Sequence, residues 1–211
     1  MKEIHVLNYG VGNIRSVQNA VLNCNAKPIL TKEYKDLKNA THLIIPGVGA
    51  FGDCVNRIKK ENLDDVILEL FEKKIFILGI CVGMQMFMES STEFGFNKGL
   101  NLFNGNVEKI PKTFDNKTHK IPFIGWSKLK KNVNSWESTI LEGITSDDYF
   151  YFIHSYECKP KATQDCLAFG KYSGMNICAV IHKDNIYGVQ FHPEKSAGSG
   201  LKIIQNFINT K

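Results

Sequence analysis

The sequence predicts an α/β fold: one domain over residues 1–211, with a central and mostly parallel sheet flanked by helices and a small edge sheet. Three features predict it. The run Ile75–Ile80 is short and apolar without alternation, the pattern of a strand buried on both faces, and Ile4–Leu7 and Thr41–Ile45 read as further strands. Each of these runs into a turn holding glycine and then into apolar residues at helical spacing. Finally, the second half strings together strand-like runs at 149–156, 166–172, 176–182 and 185–190.

Taken in order, Ile4–Leu7 ends at Asn8-Tyr9-Gly10-Val11-Gly12-Asn13, after which Ile14, Val17, Val21 and Leu22 recur as on a helix face. Strand, Gly-x-Gly and helix invite a dinucleotide reading, with Glu33 near the place of a ribose-binding acid. Arg15, however, stands where a third small residue must let helix and strand pack closely, so a tight crossover turn is preferred. Thr41–Ile45 runs into Pro46-Gly47-Val48-Gly49-Ala50-Phe51-Gly52. Glycines around one valine make a loop able to present N–H groups, or to flip a peptide, at little steric cost. Ile58, Leu63, Val66, Ile67, Leu70 and Phe71 then supply helical positions leading to the central strand.

That strand carries the first chemical signal. Gly79, Cys81 and Gly83 have the Gly-x-nucleophile-x-Gly spacing of a strand that turns abruptly into a helix, read here through Met84, Gln85, Phe87 and Met88. The turn pushes Cys81 out at the carboxyl edge of the sheet, where a helix N-terminus favours thiolate and oxyanion. The bland alternative is a buried structural cysteine.

From Glu93 to about Lys131 the pattern loosens into excursions and hairpins at the sheet edge, punctuated by Gly95, Gly99, Gly105, Pro111 and Pro122. Within it, Trp126 beside Gly125 suits either a core or an interface anchor. Tyr149–Tyr156 reads as one strand, the runs at 166–172, 176–182 and 185–190 as its successors, and Leu201, Ile204, Phe207 and Ile208 as a closing amphipathic helix.

Composition removes several function classes. A hydrophobic content of 43% and a charged content of 22% suit a soluble globular chain; no apolar run approaches a membrane span, and Met1-Lys2-Glu3-Ile4 opens a strand, so a cytoplasmic location is expected. Six cysteines without a Cys-x-x-Cys pair argue against a zinc site or a disulfide framework. The net charge of +5 is dispersed over pairs such as Lys59-Lys60, Lys73-Lys74 and Lys130-Lys131, a solvated face and not a nucleic-acid footprint.

A nucleophilic cysteine needs a base, and six histidines compete. His5 and His42 sit in early strands as core or edge residues, His119 in a polar loop as a solvated one, and His154 near a strand end without a suitable acid. His192 differs because Pro193 confines it to extended geometry, in which Glu194 two residues on points the same way. A carboxylate there accepts one imidazole N–H, fixes the tautomer and leaves the other nitrogen for the thiol.

These residues resemble those of the class I glutamine amidotransferases, in Gly79-Ile80-Cys81-Val82-Gly83-Met84-Gln85 and in Gly188 to Ser196 with its Gln-Phe-His-Pro-Glu-Lys core. Tyr9 to Asn13, Pro46 to Gly49, Gly125-Trp126 and Tyr151 to Tyr156 are similar to one branch, the glutaminase subunits of imidazole glycerol phosphate synthase. The resemblance implies a flavodoxin-like arrangement and a glutaminase that hydrolyses L-glutamine without metal or organic cofactor. Its ammonia would pass to a (β/α)₈-barrel cyclase in a heterodimer serving histidine biosynthesis. It also implies roles: Cys81 as nucleophile, His192 as acid/base, Glu194 as orienter, and Val48, Gly49 and Val82 at the oxyanion. Gln85, Ser155 and Tyr156 would hold the substrate's α-groups, and Asn13, Trp126, Tyr151 and Lys195 would face the barrel. The Gly47-Val48-Gly49 backbone is expected to flip into register on docking or ligand binding.

Two positions depart from the family pattern, Ser127 after Gly-Trp in place of Asn, and Asn8 in place of Asp. Both are expected near the partner face, which keeps open a paralogue feeding a related barrel for amidino-sugar synthesis. A cysteine peptidase or chaperone-like relative would place His where Val82 stands, and a dinucleotide reductase would need the glycine that Arg15 replaces.

Overall fold

A computed structural model describes residues 1–37 and 39–211 of the chain. Its first part alternates strand and helix: β1 (Glu3–Leu7), α1 (Ile14–Asn23), β2 (Lys27–Thr31), β3 (His42–Gly47), α2 (Phe51–Lys60), α3 (Leu63–Glu72), β4 (Phe76–Cys81) and α4 (Val82–Gln85). Short strands follow: β5 (Met88–Ser91), β6 (Asn97–Lys98), β7 (Phe103–Lys109), β8 (Thr113–Phe114) and β9 (Lys117–Thr118). Then come β10 (Phe123–Lys131), β11 (Tyr149–His154), β12 (Tyr156–Pro160), β13 (Cys166–Tyr172), β14 (Met175–Lys183), β15 (Ile186–Val189) and α5 (Ala197–Asn209).

Among the described residues nine strands form one sheet in the order β11-β10-β13-β14-β15-β4-β3-β1-β2. From β2 to β15 every neighbouring pair is parallel, and read from that edge the order is the flavodoxin-like 2-1-3-4-5. From β15 outward the pairing turns antiparallel as far as β11. The chain steps from β1 to β2 in one direction and from β3 to β4 in the other. Right-handed crossovers therefore put α1 on one face and α2 with α3 on the opposite one. The closing helix α5 packs against α1 and completes that face. Covered on both sides, β3 is buried at every residue, and β4 at all but its first. A second sheet, β12-β7-β5-β6, and the hairpin β8–β9 make the smaller part.

Three elements differ from expectation. The helix after Cys81 ends at Gln85, not Met88, because Met88–Ser91 is drawn into the second sheet between β6 and β7. Sheet pairing outweighs the helical spacing of its apolar residues. The helical stretch from Ile58 to Phe71 is two helices, parted where Asn62 takes a left-handed φ of 52°. The run 149–156 divides at Ser155, so that His154 closes β11 in the large sheet and Tyr156 opens β12 in the small one. No helix among the described residues is long and apolar enough to cross a membrane.

Candidate active site

The site is built at the carboxyl ends of β3, β4 and β15, which are adjacent. Cys81 ends β4 with φ 55° and ψ −111°, a backbone conformation that costs on the order of 1–3 kcal/mol and is tolerated where neighbours enforce it. The neighbours are close. A Cβ on Gly83 would sit 2.0 Å from the Ile45 carbonyl oxygen of β3, and one on Gly79 would sit 2.5 Å from the Phe87 ring. Only glycine lets the chain fold back so tightly. The helix that follows is a single turn, too short to carry much of a macrodipole. What remains at its start are backbone N–H groups without intrahelical partners, that of Val82 first.

The Pro46–Gly49 loop lies on this turn. Gly47 pairs with Cys81 across the sheet, and a Cβ on it would lie 2.4 Å from the Gly83 nitrogen. Two side chains hold the loop from below: the Tyr9 hydroxyl donates to the Pro46 carbonyl at 2.7 Å and the Cys54 thiol to the Val48 carbonyl at 3.4 Å. Burial pushes the Cys54 thiol up to about 11, so it remains a donor. Gly49 has φ 94° with open space beside it.

His192 arrives from β15. That strand pairs in parallel with β4, Val189 opposite Ile80, so the residues just beyond it run alongside Cys81. The imidazole Nδ1 lies 2.8 Å from Glu194 Oε1, and both side chains are shut away from water. The residues are close for a reason other than the expected one: Pro193–Lys195 is a turn of 3₁₀ helix, which brings Glu194 back to the ring. A carboxylate only accepts, so Nδ1 carries a proton, and Nε2 is left to face the Cys81 sulfur. Burial opposes the imidazolium, but the Cys81 sulfur and the Glu194 carboxylate outweigh it, and the His192 pKa is pushed up to about 10. Glu194 Oε2 is buried without a partner.

Of the three residues expected at the substrate's α-groups, Gln85 meets the backbone of Tyr156. Gln85 Nε2 donates to the Tyr156 carbonyl at 3.0 Å, and Ser155 is the residue joining the two sheets. Of the four residues expected at a partner face, Trp126 and Tyr151 are register partners with ring centroids 5.7 Å apart, and Trp126 is 53% exposed. Lys195 is exposed on the turn whose first residue, His192, bonds the Tyr151 carbonyl. Asn13 stands at the start of α1 without capping it, next to Gly12, whose position abuts Pro46.

Of the two departures, Ser127 is turned away from that face. Ser127 is buried, donating to the Lys171 carbonyl and accepting the Lys171 N–H, each at 3.0 Å. Asn8 turns its side-chain oxygen onto the Gly10 N–H. Both are absorbed by bonds within the chain. His119, expected to be solvated, is instead half-buried against the Tyr172 ring.

Three residues near the site escaped the sequence reading. Gln190 is fully buried and donates to Cys81 Sγ at 3.7 Å. His154 donates from Nδ1 to the Tyr156 carbonyl at 2.8 Å; burial lowers its pKa to about 4, and its neutral Nε2 has no partner. Glu93 accepts the Phe51 N–H at 2.6 Å just beyond the Pro46–Gly49 loop. Gln190 was visible as part of the Gln-Phe-His-Pro-Glu run, but its direction depends on strand register. No cluster of three or more His, Cys, Asp or Glu suited to a metal occurs among the described residues.

Residues 5–210 match the family model described as "Glutamine amidotransferase class-I". The chain is 40% identical over 211 residues to imidazole glycerol phosphate synthase subunit HisH 1 of Legionella pneumophila (strain Lens), covering 99% of each. It is 42% identical over 206 residues to subunit HisH of Caldanaerobacter subterraneus subsp. tengcongensis, covering 97% of this chain and 96% of that one. Among solved structures it superposes on "PurLQS from Thermotoga maritima" with TM-score 0.76 and 17% identity, covering 99% of this chain and 98% of the other. It superposes on a "glutamine amidotransferase" with TM-score 0.73 and 15% identity, covering 97% and 96%. Those two likenesses speak for the fold.

Proposed function

The chain belongs to the class I glutamine amidotransferase family, and we propose that within it the chain is the glutaminase subunit of an imidazole glycerol phosphate synthase in histidine biosynthesis. The observation that carries this is the length of the likeness: relatives bearing that subunit name are 40–42% identical from end to end. The partner is then a (β/α)₈-barrel cyclase, docked on the face of Trp126, Tyr151, Lys195 and Asn13, and it receives the ammonia. The paralogous sugar pathway is not favoured, since the relatives named above carry the histidine-pathway subunit name and Ser127 is engaged within the chain.

The chemistry follows from the site. The Cys81 thiolate attacks the carboxamide carbon of L-glutamine, forming a C–S bond and a tetrahedral oxyanion held by the Val82 N–H and the Val48–Gly49 loop. Gln85, Ser155 and Tyr156 hold the α-amino and α-carboxylate end. His192, with its proton held up to a pKa of about 10, is set to act first as an acid: Nε2 protonates the departing nitrogen, the C–N bond breaks and ammonia leaves. The same nitrogen then takes a proton from water, which attacks the γ-glutamyl thioester; glutamate departs and the Cys81–His192 pair is restored. Glu194 keeps the proton of Nδ1 in place throughout. No step calls for a metal or organic cofactor.

The test is reconstitution. With the barrel cyclase of the same cell and its nucleotide substrate, the chain is expected to convert glutamine to glutamate and yield imidazole glycerol phosphate in equal amounts, and Cys81→Ala to yield neither from glutamine. Product formed with added ammonia but not with glutamine and the intact chain would overturn the reading.

A further inference from the structure

Beyond the triad, one buried side chain touches the nucleophile. Gln190 directly follows β15, whose last residue Val189 lies opposite Ile80, and its side chain reaches the neighbouring Cys81. Its amide is fully buried and held at both ends. Gln190 Nε2 donates to Cys81 Sγ at 3.7 Å, and Gln190 Oε1 accepts from Gln85 Nε2 at 3.0 Å. Gln85 Nε2 in turn donates to the Tyr156 carbonyl, which also takes the His154 Nδ1 proton.

The polarity of this chain of bonds is not free. A carbonyl oxygen only accepts, so Gln85 must offer its NH₂ to Tyr156. The same Nε2 of Gln85 reaches Gln190, which must therefore accept with Oε1 and turns its NH₂ to Cys81. The Tyr156 carbonyl therefore dictates the orientation of both amides. With both Nε2 protons of Gln85 used on the protein, its Oε1 is left as an acceptor turned away from them.

We infer that Gln190 is a positioning residue for the glutaminase reaction, which it serves in two ways. Its N–H holds the sulfur anion in the strained bend before attack, and its carbonyl locks Gln85 with Oε1 presented to the substrate's α-ammonium group. The inference rests on the glutaminase reading, since only there does Gln85 meet an amino acid. It explains why a residue that contacts no substrate is polar and wholly buried: an apolar side chain would leave Gln85 free to turn its amide over.

Two probes separate the roles in the intact chain. Iodoacetamide, with the alkylated cysteine mapped by mass spectrometry, reports the sulfur alone; a chloroketone analogue of glutamine reports sulfur and α-group recognition together. In Gln190→Met the pH–rate profile of Cys81 alkylation by iodoacetamide is expected to move up by about one unit, the worth of one hydrogen bond to an anion. Inactivation by the chloroketone is expected to fall by about a further tenfold, and KM for glutamine to rise more than kcat falls. A packing role alone leaves the iodoacetamide profile unmoved. Gln190→Glu, which keeps the shape but sets a carboxylate against the sulfur, moves the profile higher than Gln190→Met does. Profiles and probe ratios equal to the unaltered chain in the folded variants overturn the inference. The iodoacetamide readout needs no glutamine turnover, so failure of the glutaminase reading, seen as an unaltered chain that the chloroketone does not inactivate, is a separate result.

Discussion

Replacing Glu194 by glutamine separates what the carboxylate does for the charge of His192 from what it does for the tautomer. The contact is 2.8 Å long between side chains 4% and 1% exposed, so water does little to screen it. A charge-assisted bond of this kind contributes about 1.5–3 kcal/mol, or about 1–2 units of the imidazole's proton affinity. Removing it lowers the His192 pKa, but the Cys81 sulfur still favours the imidazolium, so ammonia can still be expelled. The second half-reaction fares worse. If the new amide presents its oxygen to Nδ1, its NH₂ falls where Glu194 Oε2 now lies buried without a partner, at a cost of about 1–3 kcal/mol. If it presents NH₂, the neutral ring must carry its proton on Nε2 and cannot take one from water. Either way deacylation is slowed, and kcat is expected to fall by about 10²–10⁴ while acylation survives. Rapid-quench assay in the complex with the barrel subunit should then show one ammonia per chain released in a burst. Intact-mass measurement should show a γ-glutamyl adduct on Cys81. A variant turning over within about threefold of the unaltered chain, with no adduct, would refute this account of Glu194.

Trp126→Ala removes an exposed aromatic beside Tyr151 and should weaken binding of the barrel subunit by about 2 kcal/mol, roughly thirtyfold by calorimetry, with the melting midpoint of the free chain unchanged. His42 and His154 are buried with pKa values lowered to about 4, so the unfolded chain binds protons there that the fold refuses. Stability should be full above about pH 6.5 and decline as pH falls towards 4, by on the order of 2 kcal/mol per histidine at pH 4.5; urea midpoints that stay level over that range would contradict the assignment. Cys54→Ala frees the Val48 carbonyl, and if docking works by flipping this peptide, glutaminase activity without the partner should rise about two- to fivefold, as suits the loss of one weak thiol hydrogen bond. Unchanged or lower basal activity would mean that Cys54 does not restrain the loop.

Much of the site was legible because its parts are local. The bend at Cys81 announces itself through Gly79 and Gly83, which must be glycine because Phe87 and the Ile45 carbonyl occupy the space a Cβ would need. His192 and Glu194 are two residues apart, and any backbone that brings i and i+2 together gives the pair, which is why the expectation survived the replacement of extended chain by 3₁₀ turn. What could not be read depends on contacts between distant segments. Gln190 acquires its meaning only from the alignment of β15 with β4, and Ser127 only from Lys171 on the next strand. Met88 was misassigned because its helical spacing is real but a partner strand fifteen residues on, at Phe103, claims it.

The same long-range contacts say how the proposed docking face can reach the base. His192 and Tyr151 are tied by their backbones: the His192 N–H donates to the Tyr151 carbonyl at 2.9 Å, and the Tyr151 N–H to Ser196 Oγ at 3.0 Å. The Ser196 hydroxyl closes the loop by donating to the His192 carbonyl at 2.7 Å. Two bonds thus fasten the segment that carries His192 and Glu194 to β11, a third braces it internally, and Tyr151 stands opposite Trp126 in register. The turn Pro193–Lys195 also packs against α1 and α5, where a Cβ on Gly200 would lie 1.9 Å from the Pro193 carbonyl. The backbones of His192 and Tyr151 thus form one bonded unit, while the sulfur is pinned between β3 and Gly83. A partner docked on the Trp126 and Tyr151 face is therefore expected to be felt at His192 before Cys81, and a His192 imidazole NMR signal unmoved by binding would count against it.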